Sequence, residues 1–160
     1  MQAGEDMQKK QFQGNARTSI ATRRWRYCVA RERSAVGRFA ERMQRDLEDA
    51  GISAKSRQTL GVVIDELLAN VIMHARDARG PVHLRIRYAQ GVLVARMRHF
   101  AAAFDSTLTN DEGVAQSLAH ATIGGAGLRI VRAMTRDFRY RHHRGQNHLR
   151  LEMLTASEGS

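Results

Sequence analysis

The chain has 160 residues and one cysteine; the length suits one domain able to bury a core without cross-links, and a lone thiol excludes an intramolecular disulfide. Lys and Arg number 26 against 16 Asp and Glu, a formal charge of +10 that can draw nucleic acid, an anionic membrane, an acidic protein or a nucleotide. Neither a signal peptide nor a run of about 18 apolar residues is visible, so the expected location is the cytoplasm, with no membrane contact.

Residues 1–17 are rich in Gln, Lys, Gly and Asn without apolar periodicity and read as a disordered lead, and residues 156–160 as a disordered tail. Between them, 18–155 is expected to form a single domain. Ile20 to Ala30 alternates around Trp25, Tyr27 and Val29, which suggests a strand with arginines on its other face. Trp25 and Tyr27 suit a core or a partner surface equally, and Cys28 reads as a small core residue. Val36, Phe39, Met43, Leu47 and Ala50 recur at helical spacing, with Gly51 as the stop. The longest predicted helix starts at Ser53 and runs through Leu60, Ile64, Leu67 and Val71 towards Ala75, ended by Gly80-Pro81. Val82 to Tyr88 and Val92 to Phe100 flank Gln90-Gly91 as a hairpin with one wet face. A poorly patterned stretch from 101 to 123 leads to Gly124-Gly125-Ala126-Gly127, read as a loop entering a helix from Leu128 to about Thr135. Strands from Phe138 to His142 and His148 to Met153 then flank a turn at Gly145.

Antiparallel strand pairs with helices between them indicate an α+β two-layer sandwich, a mixed and mainly antiparallel sheet with helices on one face. The arginines are scattered along the chain with no run of five or six, so a solvated basic surface is expected and a nucleic-acid groove is not. His142, His143 and His148 suggest no metal site, because adjacent strand residues point to opposite faces.

Glu66, Asn70 and His74 fall within roughly 80° of one another at about 100° per residue, so they line one stripe beside the apolar one. Glycines at the start of a helix let an anion approach free backbone N–H groups and the positive dipole end. Gly124, Gly125 and Gly127 therefore outline a phosphate site, although they match neither the dinucleotide fingerprint nor the P-loop.

In order and spacing, Glu-x-x-x-Asn-x-x-x-His, a hairpin, a variable loop and Gly-Gly-x-Gly-Leu resemble the histidine-kinase-like (GHKL) ATPase domain. More narrowly they are similar to the small anti-sigma factor serine kinases of bacterial partner-switching systems, over about residues 19–154. The resemblance implies ATP and Mg²⁺ as cofactors, with Asn70 as the amide ligand of Mg²⁺ and Glu66 as the base that deprotonates a partner serine. It also implies a nucleotide-binding role for His74, Gly124, Gly125, Gly127 and Leu128. The implied partners are a sigma factor and an anti-anti-sigma (STAS-type) antagonist, with a homodimer left open.

The base end departs from the family pattern. Aligning Phe104-Asp105 to the family's Phe-Asp puts His99 where the adenine-binding aspartate belongs and Ala101 where a glycine belongs. Asp111-Glu112-Gly113 carries the family's letters but stands well beyond the strand end. Two functions stay open, a serine kinase with an altered adenine site and a catalytically impaired binding module.

Overall fold

The computed structural model describes residues 22–75, 77–103, 105 and 124–156. The lead read into residues 1–17, Phe104, Asp111-Glu112-Gly113 and tail residues 157–160 lie outside them. In chain order the elements are β1 (Arg23–Val29), α1 (Arg33–Glu48), α2 (Ala54–His74), β2 (Arg79–Ala89), β3 (Val92–Phe100), α3 (Gly124–Met134), β4 (Asp137–His143) and β5 (Gln146–Leu154). The strands form one sheet in the order β1-β2-β3-β5-β4, every neighbouring pair antiparallel, and the described helices pack on one of its faces. This is the α+β two-layer sandwich that the element order predicts. No described helix is long and apolar enough to cross a membrane.

Local chemistry sets the boundaries. α1 buries Phe39, Met43 and Leu47 at four-residue spacing, and Gly51 at φ +73° lets the Ile52 N–H donate back to the Leu47 carbonyl at 3.1 Å. α2 opens on Ser53, whose hydroxyl accepts from the Ser56 N–H at 3.4 Å. Both hairpins turn on two left-handed residues, Gln90-Gly91 and Arg144-Gly145, a geometry that follows the twist of the strands.

The core lies between the covered face and the helices. Tyr27, Leu84, Met97 and Leu149 stand side by side across four strands and are all buried, while Leu60, Ile64, Leu67 and Leu68 of α2 close over such rows. Tyr27 belongs to this core. Its ring meets Phe39 edge-on at 5.2 Å and its hydroxyl donates to Asp46 at 2.9 Å, which ties α1 to β1. Burial, and then the Asp46 carboxylate, push the Tyr27 hydroxyl above its usual pKa.

Three expectations are corrected. Cys28 is exposed, because Tyr27 and Val29 take the buried phase of β1 and the residue between them must face away, opposite His83. Gly80-Pro81 does not end α2, which stops at His74; these two residues lie at the start of β2, where Gly80 has φ +65° and the register with β3 shifts. Gly124, Gly125 and Gly127 lie inside the first turn of α3 rather than in a loop before it.

Leu60 is fully buried in the half of α2 farthest from its polar stripe. Leu60→Ala should cost about 2–5 kcal/mol in urea denaturation, the usual penalty for a buried leucine replaced by a cavity. A loss well under about 1 kcal/mol would mean that the core is open there.

Candidate functional site

The stripe predicted on α2 meets the glycines of α3. Glu66 is half-buried, and a Cβ built on Gly127 would stand 2.0 Å from its Oε2 and 2.8 Å from its Cδ. The carboxylate thus lies against the backbone of the first turn of α3, whose leading N–H groups have no partner within the helix and which carries the positive end of the helix dipole. Any side chain at 127 would push the Glu66 carboxylate away from this position, which the glycine leaves open.

One turn further along α2, Asn70 is 5 % exposed, and its Nδ2 is buried without a partner. His74 is the last residue of the helix. Leu128 packs into the core behind Gly127.

At the end of β3, His99 faces inward beside Asn147 of β5 and is 3 % exposed. Its protonation follows from its neighbours. Asn147 Nδ2 donates to the Ala102 carbonyl at 2.9 Å, and the Tyr140 hydroxyl donates to Asn147 Oδ1 at 2.6 Å, so the amide presents its NH₂ to His99 Nε2 at 3.3 Å. Burial first, then the charge of Arg31 and His148, bring the ring's pKa down to about 4, and it is neutral at pH 7. With Nε2 accepting, the proton sits on Nδ1, which is buried and unpartnered.

Arg31, just beyond β1, completes the group. Its guanidinium donates to the carbonyls of Ala75, at 3.2 Å, and Ala78, while its Nε is buried and free. Among the described residues the buried side-chain atoms without a partner are Arg31 Nε, Asn70 Nδ2 and His99 Nδ1. All three are donors. Each leaves about 1–3 kcal/mol of desolvation uncompensated, which a ligand rich in acceptor atoms would relieve. A nucleotide, with phosphate oxygens and ring nitrogens, fits that demand. Sequence reasoning missed Arg31, because nothing in its spacing separates it from the other arginines of that stretch.

The depressed pKa of His99 has a definite sign in stability. An unfolded histidine titrates near 6.5, so between about 6.5 and 4 the unfolded chain binds the extra proton. The contribution is complete above about pH 6.5 and is lost as the pH falls to about 4, by up to about 3 kcal/mol. Urea denaturation across this range should show the decline, and His99→Gln should flatten it. An unchanged slope in the variant would assign the acid sensitivity to other groups.

The histidine kinase-like ATPase domain family matches residues 29–153, a span that includes Arg31, Glu66, Asn70, His99 and Gly127. The serine/threonine-protein kinase BtrW of Bordetella bronchiseptica is 34% identical over 108 residues, which cover 66% of this chain and 76% of that protein. With a family match over most of its length and a relative of this similarity, the chain belongs to the histidine kinase-like ATPase domain family.

Proposed function

We propose that the chain is an anti-sigma-type protein serine kinase, which binds a sigma factor or an anti-anti-sigma antagonist and phosphorylates a serine of the antagonist. The observation that carries this reading is the contact of Glu66 with Gly127, a half-buried carboxylate set against a helix N-terminus suited to phosphate oxygens. Glu66 takes the proton of the incoming serine hydroxyl as its oxygen attacks the γ-phosphorus, and the bond to the ADP oxygen breaks in line with that attack. The Asn70 amide oxygen would hold Mg²⁺, which neutralises charge on the phosphate oxygens. The kinase name of the Bordetella relative supports the same chemistry. Control of transcription by partner switching, in the cytoplasm, follows from this reading.

His99 favours a second reading, a binding module with impaired catalysis. A ring that offers N–H at Nδ1 cannot accept a hydrogen bond from an adenine amino group; it can donate to a ring nitrogen or to a carbonyl oxygen of the base.

Incubation with an anti-anti-sigma antagonist and Mg²⁺-ATP should yield phosphoserine on the antagonist. Glu66→Gln should lower the rate about 10²–10⁴-fold while leaving antagonist binding intact. Absence of transfer by the wild-type protein at millimolar ATP would sink the kinase reading and leave the binding module.

The base end predicts a gain of function. His99→Asp supplies an acceptor for the adenine amino group, and titration with labelled ATP should show roughly three- to tenfold tighter binding, the worth of one net hydrogen bond. Equal affinities would mean that the base does not reach His99.

A further inference from the structure

The arginines scattered along the sequence are gathered on one side of the sheet by the two-residue period of the strands. Arg26, Arg85, Arg96, Arg150 and Arg139 stand opposite one another in a single row that crosses every strand from β1 to β4. They face away from the helices, since Tyr27, Leu84, Ile86, Met97 and Leu149 beside them in sequence are buried in the core. At about 4.8 Å per strand the row is roughly 19 Å long. The next row along the strands holds Cys28, His83, Arg98, His148 and Arg141, and residues of the two rows line a groove of about 650 Å³.

Like charges directly opposite one another weaken a sheet, so this arrangement works against the fold that carries it. Asp137 and Glu152 pair with Arg139 and Arg150 at one end. Arg26, Arg85, Arg96, Arg98 and Arg141 form no ion pair with a described acid. Burial and then the charges of Arg141 and Arg98 hold His148 below its ordinary pKa, in keeping with an unbalanced positive field.

We propose that this open face binds the phosphate backbone of double-stranded nucleic acid without reading its sequence. A duplex carries one phosphate per about 1.7 Å of axis, about three for each strand spacing of about 4.8 Å, so every arginine of the row finds a phosphate within reach; an acidic protein would need a repulsive array of its own. The row spans roughly 19 Å, wider than the ~12 Å major groove, so the flat sheet meets phosphates rather than base edges, and neither row holds a Trp, Tyr or Phe on which single-stranded bases would stack. The groove lies on the side of the sheet opposite the nucleotide site, so the two can be filled together.

Fluorescence anisotropy with a short labelled DNA duplex tests the proposal. Binding should weaken steeply between about 50 and 200 mM salt, with a log–log slope near −4 to −5 for about five phosphate contacts. Arg85→Glu and Arg96→Glu should each weaken binding about tenfold and flatten the slope by about 1, whereas Arg33→Glu and Arg38→Glu on the exposed face of α1 should not. Folding is controlled in the same samples, because Arg96→Glu relieves repulsion from Arg85 and Arg150 and should raise the low-salt melting midpoint. The proposal is overturned by a duplex left unbound at about 50 mM salt, by helix variants that weaken binding as much as sheet variants, or by equal affinity for a labelled oligoglutamate of the same charge.

Discussion

Successive side chains on a strand leave by opposite faces, and the described helices cover only one face of this sheet. That single constraint sorts the chain. Tyr27, Leu84, Met97 and Leu149 have no place except the covered layer, and the residues between them have no place except the open one. Cys28 and Arg26 are therefore exposed for the same reason that Tyr27 is buried. The phase of the strand outranks the individual preference of a residue, which is why an apolar thiol ends among arginines.

The same layering positions the site. The apolar rows of the covered face give way, at the end of β3, to His99 and Asn147, whose polar groups are braced by Tyr140 and the Ala102 carbonyl. The Ala101 N–H donates to the Gly145 carbonyl at 3.2 Å, so the strand end is also tied to the β4–β5 turn. On the helix side, Glu66 is held by packing of α2 against α3, and the missing side chain at Gly127 makes room for it. A carboxylate and a helix N-terminus attract each other even without ligand. The site is thus partly organised by its own electrostatics.

Period and spacing made much of this legible. The four-residue interval from Glu66 to Asn70 to His74 places them on one stripe whatever the tertiary structure, and the alternation of β2 and β3 fixes which of their residues face water. The junction of Glu66 with Gly127 could be expected only from the resemblance to a known family, because the two lie far apart in sequence and no local rule connects them. Element ends were less legible. Gly80-Pro81 carries a stop signal, yet a strand tolerates both residues at a register shift, and glycines that usually precede a helix were absorbed into its first turn. The arginine row was invisible for a different reason: it depends on the registers of four strand pairs at once, and no single strand contains it.

Arg31 links the fold to the unusual base end. Its guanidinium meets the carbonyl of Ala75 at the C-terminus of α2, where the negative end of the helix dipole favours a cation, and it also forms a bond to Ala78. It makes no ion pair among the described residues, so its charge bears on His99 and helps keep that ring neutral. An aspartate at position 99 would balance that charge and accept from a base, whereas the neutral imidazole balances no charge and turns a second donor inward. Around Glu66 the chain combines a carboxylate with a helix N-terminus, and around His99 it combines a guanidinium with a ring N–H; on the proposed reading these are the phosphate and base ends of the site. A nucleotide would therefore be held at its base through acceptor atoms, and its exocyclic amino group, if it has one, must find an acceptor other than His99.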